Sequence, residues 1–129
     1  MYKNITPVFI VDEIEPVLPL WTSLGFSRTA EVPDGDRLGF VILQKDDVEV
    51  MYQTFASVRG DEPRALEGKR AHGAASVFIA VDNLDEVASL VPKDADIIER
   101  RRETFYGAIE MILRDAAGNV IVFAEMKTE

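Results

Sequence analysis

The run Tyr106-Gly-Ala-Ile-Glu-Met-Ile-Leu-Arg-Asp-Ala-Ala-Gly-Asn-Val-Ile-Val-Phe-Ala-Glu125 decides the fold. It reads as a strand, a tight turn over Asp115 to Asn119, and a returning strand. Asp115 accepts hydrogen bonds from its own backbone, and Gly118 and Asn119 tolerate positive φ, so two apolar runs fold back as an antiparallel hairpin. Strand side chains alternate faces. Ile109, Met111 and Leu113 therefore form an apolar row suited to packing on helices. Tyr106, Ala108, Glu110 and Ile112 fall on the other face, which leaves a phenol and a carboxylate there.

Upstream of the hairpin, Ala75 to Val81 is an apolar strand, and Leu84, Val87, Ala88 and Val91 give a short helical stripe broken at Pro92. A strand near Ile97 to Glu103 completes a β-α-β-β-β order. The first half has the same order. Ile5 to Val11 is a strand, and Ile14, Val17, Leu18, Trp21 and Leu24 form an amphipathic helix that Gly25 ends, with Pro19 delaying or bending its start. Strands follow to about Val32, from Leu38 to Lys45, and from Val48 to Phe55, separated by turns at Pro33 to Asp36 and Asp46-Asp47. The stretch from Ser57 to Arg70 has no period and reads as a linker with one helical turn around Arg64 to Glu67.

The halves repeat in sequence. Val11 and Val81 are offset by 70 (81 minus 11), and the same offset pairs Asp12 with Asp82, Ile14 with Leu84, Val17 with Val87, and Ile42-Leu43 with Ile112-Leu113. Such self-similarity marks a duplicated unit. The expected organisation is a single domain over residues 1–129. Residues 1–56 form the first βαβββ module, 57–73 a linker, and 74–129 the second module. The expected class is α+β, with ferredoxin-like and dimeric α+β barrel folds as competitors.

The aromatic-Gly start at Tyr106-Gly107, the central acid Glu110 and the closing Asp115 to Asn119 turn resemble the last hairpin of the glyoxalase, bleomycin-resistance and extradiol dioxygenase proteins, the vicinal oxygen chelate superfamily. The Leu24-Gly25-Phe26 ending of the first helix resembles its first module. The resemblance implies two βαβββ modules making one curved mixed sheet around a cleft.

The chain has 129 residues, 47% hydrophobic and 29% charged, enough for one domain with a core. No apolar run reaches the roughly 20 residues of a membrane span, and the start lacks a signal-peptide order, so the expected location is cytoplasmic. With no cysteine there is no disulfide, thiolate metal site or cysteine nucleophile. A net charge of −9 repels nucleic acid, and the one basic cluster, Arg100 to Arg102, reads as a solvated strand face. Serine-hydrolase and phosphate-loop motifs are missing.

Metal-using members of the superfamily place His or Glu on the first and last strand of each module. The resemblance carries those places onto Thr6, Ser76, Val122 and Tyr52, or Met51 if a turn differs by one residue. Hydroxyls, a thioether and hydrocarbon suit no transition metal. No metal or cofactor is therefore expected. His72, the lone histidine, reads as a loop residue. What remains is a cleft lined by Trp21, Tyr52, Phe105, Tyr106 and Glu110, with Phe55 a further aromatic candidate.

The expected function is that of a metal-free, homodimeric protein that sequesters a small amphipathic or cationic aromatic molecule, as in bleomycin-resistance-like members. Its rival is a metal-dependent enzyme of the same fold, a lyase, isomerase or dioxygenase using carboxylates such as Glu49 and Glu110. A structural or regulatory dimer is the third class.

Overall fold

A computed structural model describes residues 1–66 and 75–127, and backbone only for 65 and 66. His72 and part of the expected linker lie outside the described residues. The chain divides into two compact units, Met1–His72 and Gly73–Glu129. Each carries its own four-stranded mixed sheet.

In the first unit β1 (Val8–Val11) leads through a 3-10 turn (Glu15–Val17) into α1 (Leu18–Ser23). Pro16 and Pro19 each sit in a first turn, where a missing N–H goes unnoticed; Pro19 delays the α-helix to Leu18 rather than breaking it. Gly25, at φ 94°, closes α1 as Phe26 N–H reaches back to the Trp21 carbonyl. Then come β2 (Ser27–Asp34), β3 (Arg37–Lys45) and β4 (Val48–Thr54).

The expected linker begins instead with a helix, α2 (Phe55–Asp61), followed by a 3-10 turn (Pro63–Leu66). Thr54 caps α2 by accepting from Ser57 N–H at 3.0 Å, and Phe55 and Val58, three apart on one face, are buried. That short apolar pair is too brief to show as a period among charged neighbours.

The second unit runs β5 (Ser76–Ala80), α3 (Leu84–Leu90), β6 (Asp96–Glu103), β7 (Ala108–Arg114) and β8 (Val120–Met126). The strand orders β1-β4-β3-β2 and β5-β8-β7-β6 are the same, with one parallel pair in each (β1 with β4, β5 with β8) and antiparallel pairs elsewhere. The duplication is thus structural. The expected α+β duplication of βαβββ modules is therefore present, with one four-stranded mixed sheet in each.

The β7–β8 turn follows its sequence logic. Asp115 Oδ1 accepts from Ala117 N–H at 2.9 Å and Asn119 N–H at 2.8 Å, while Oδ2 accepts from the Asn119 amide at 3.1 Å. Gly118 takes the positive φ, 89°, that a side chain would resist, whereas Asn119 does not need one.

Each sheet packs one face against its helix, and in the second module Ala108, Ile112 and Ala124 on the other face are buried as well. In the second module Ile109, Met111, Leu113, Ile121 and Phe123 share the α3 side, and Glu125 Oε1 accepts from Leu84 N–H at the start of α3 at 2.7 Å. In the first, Phe9, Val41, Leu43, Val50 and Tyr52 share the face that meets Trp21.

Candidate functional site

Alternation and cross-strand partners put Phe78, Val122 and Ile112 in one row across the face opposite α3, and Ala80, Ala124, Glu110 and Arg102 in the next. Phe78 and Met126 are half-exposed on that face.

Glu110 is 1% exposed and carries the chemistry of that row. Its Oε1 accepts from Arg102 Nε at 3.1 Å and Nη2 at 3.0 Å, and its Oε2 accepts from the Tyr106 hydroxyl. The hydrogen bond to Glu110 holds the Tyr106 phenol above its ordinary range, with partial burial adding to the effect. Thr104 braces the β6–β7 turn, since its hydroxyl accepts from Ala108 N–H at 3.0 Å and lies 3.2 Å from the Ala108 carbonyl. Phe105, fully exposed, meets Tyr106 edge-to-face at 5.3 Å. Arg102, Phe105, Tyr106 and Glu110 therefore form one cluster.

Arg102 is the member that sequence reasoning missed. The run Arg100 to Arg102 spans a register shift between Glu99 and Arg102 in the β6–β7 pairing. That irregularity turns Arg102 onto the Glu110 face, while Arg101 reaches Asp85 on α3 at 3.0 Å. A bulge inside a basic run leaves no pattern to read.

Trp21 and Tyr52, expected in the cleft, are both fully buried in the first module's core. The indole N–H donates to the Tyr52 hydroxyl at 3.0 Å, and Phe9 and Phe26 pack against this pair. Phe55 is also buried.

The places carried over for metal ligands change by one residue. Val8 pairs with Met51 as Phe78 pairs with Val122, so Met51, and not Tyr52, is the mate of Val122. Tyr52 lies on the helix face instead. The physical cause is one more residue between β7 and β8 partners than between β3 and β4 partners: Ile42 pairs with Met51, nine on, and Ile112 with Val122, ten on. Thr6 donates to Glu49 Oε1 at 3.2 Å, which brings one carboxylate to that face of the first module. Among the described residues no three His, Asp or Glu side chains gather around a common point. Thr6, Met51, Ser76 and Val122 do not fit a transition metal.

No protein-family model matches the sequence, and no curated protein matches it. Solved structures do. TioX from Micromonospora sp. ML1 superposes with a TM-score of 0.77 at 16% identity, covering 98% of this chain and 100% of that one. A glyoxalase/bleomycin resistance protein/dioxygenase from Nocardioides gives 0.70 at 12%, covering 98% and 85%. A bleomycin-binding protein complexed with bleomycin gives 0.66 at 17%, covering 98% and 100%. At these identities the likeness is one of fold.

Proposed function

We propose, for a chain with the fold of the glyoxalase, bleomycin-resistance and dioxygenase proteins, that it binds and sequesters a small amphipathic molecule on the second module's face opposite α3, without transforming it. One observation carries this reading. The offset of 70 that relates the modules maps Arg102 onto Val32 and Glu110 onto Phe40, and Val32 pairs with Phe40 just as Arg102 pairs with Glu110. The architecture therefore accommodates an apolar pair at this place. Taking a carboxylate out of water costs several kcal/mol before its partners repay it, so a buried acid at that position is there for what it recognises or orients.

The half-exposed Phe78 and Met126 with the rings of Phe105 and Tyr106 give the ligand's apolar part a surface. A bleomycin-binding protein of the same fold holds its small molecule in a complex, which agrees with this use of the scaffold. The enzyme reading needs imidazole or carboxylate where Thr6, Met51, Ser76 and Val122 stand. A cationic ligand is disfavoured at Glu110, because both carboxylate oxygens already accept from Arg102 and Tyr106. The working form is a cytoplasmic homodimer; the eight-residue edge strand β2, exposed along its length, suits an edge that a second chain covers. No helix among the described residues is long and apolar enough to cross a membrane.

The test is calorimetry with compounds selected by a thermal-shift screen, followed by mass spectrometry of the recovered ligand. Saturable binding with an unaltered ligand is expected. Turnover of the ligand, or no saturable binding by any compound, overturns the reading.

A further inference from the structure

We infer that Arg102 is the polar anchor of this site and that the ligand it takes carries a carboxylate on a flat aromatic body. The inference rests on the binding reading above and names its ligand class.

A guanidinium is a planar fork with two usable edges. Glu110 Oε1 occupies the edge made by Nε and Nη2. The remaining N–H groups, including both on Nη1, have no acceptor among the described residues, and the side chain is 53% exposed. The end-on edge is thus held in a fixed direction and left unfilled. A carboxylate matches that edge with two parallel hydrogen bonds.

Position and surroundings add to this. Glu110 fixes the guanidinium from beneath, and the Tyr106 hydroxyl fixes Glu110, so Glu110 and Tyr106 are positioning residues while Arg102 meets the ligand. Tyr106 also leaves 44% of its surface open beside the cluster, with the ring of Phe105 edge-on to it. Aromatic rings next to a charged fork select a flat ligand with an acid at one end. Other charges nearby nearly balance. Glu103 pairs with Lys127 at 3.2 Å and Arg101 with Asp85. Glu99, which faces the next row, and its neighbour Arg100 make no ion pair among the described residues and offset one another.

The experiment titrates isotope-labelled protein with three probes of one shape and three charges: 2-naphthoate, 2-naphthamide and 2-naphthylmethylammonium. Amide and arginine Nε–H resonances are followed by NMR. Naphthoate is expected to bind at least about tenfold more tightly than the amide, as a bidentate charged pair allows, with the ammonium weakest. Its shifts are expected at the Arg102 Nε–H and at Tyr106 and Ala108. Arg102→Gln is expected to remove most of the preference for naphthoate over naphthamide, while Arg102→Lys keeps part of it. Should Arg102→Gln disturb the amide spectrum, Arg102→Gln with Glu110→Gln, which leaves no buried charge, replaces it. Equal binding of the three probes at this face, tighter binding of the ammonium, or indifference to Arg102→Gln overturns the inference and leaves the binding reading standing. No shift from any probe at millimolar concentration likewise overturns the inference, while the thermal-shift screen decides the binding reading.

Discussion

Arg102→Gln strips Glu110 of both donors to Oε1 and leaves a buried carboxylate with Tyr106 alone. Breaking a fully buried pair costs about 3–5 kcal/mol. Half of the Arg102 side chain faces water, so part of that energy is already screened, and a loss of about 2 kcal/mol is expected. Replacing both members with apolar residues removes the stranded charge. Arg102→Val with Glu110→Met imitates the apolar Val32–Phe40 pair of the first module while keeping the length of the side chain at 110 close to that of glutamate. That double variant is expected within about 1 kcal/mol of the parent, and on the stable side if packing is good. Urea unfolding followed by circular dichroism reads both, since a 2 kcal/mol loss moves the midpoint by about 1 M at ordinary slopes. Amide exchange at Met111 and Phe123 reports the second module itself. A double variant as unstable as Arg102→Gln would refute the argument, because the acid would then be holding the fold rather than standing ready for a ligand.

Tyr52→Phe removes the acceptor of the buried Trp21 indole N–H and is expected to destabilise by about 1–3 kcal/mol, measured by urea unfolding with tryptophan fluorescence. Glu15 accepts from the Leu38 N–H at 2.7 Å, and this bond holds its carboxyl below the ordinary carboxylate range. Stability from Glu15 is therefore present above the ordinary carboxyl range and lost as pH falls through the lower folded value. The stability gap between parent and Glu15→Gln should shrink from about pH 6 to pH 3; a gap that stays constant contradicts the assignment. Light scattering at micromolar concentration is expected to give twice 14.4 kDa, and a mass near 14.4 kDa rejects the dimer.

The duplication and the final hairpin were legible because their signals are local: a turn that needs Asp115 and Gly118, and apolar residues repeating at a fixed offset. The faces of β7 were legible for the same reason, since alternation alone separates Met111 from Glu110. Registers were not. The choice between Met51 and Tyr52 turns on one residue of loop length, and the choice of Arg102 among three arginines turns on a bulge; neither leaves a mark in composition. Trp21 and Tyr52 were assigned to the cleft because a buried aromatic and a ligand-contacting one look alike in sequence. Only the partner decides, and each is the other's partner. The helix α2 was hidden by its charged surface, although Thr54 three residues before Ser57 and four before Val58 was a usable cap signal.

The central claim is that the second module's face opposite α3 holds a small molecule. Amide chemical-shift mapping with the ligand chosen by thermal shift tests it most directly. The largest shifts are expected at Phe78, Ala108, Glu110, Val122 and Ala124, with Ile121 and Phe123 on the α3 side little changed and the ligand recovered intact. Shifts confined to the first module, or centred on the α3 side of β8, would contradict it.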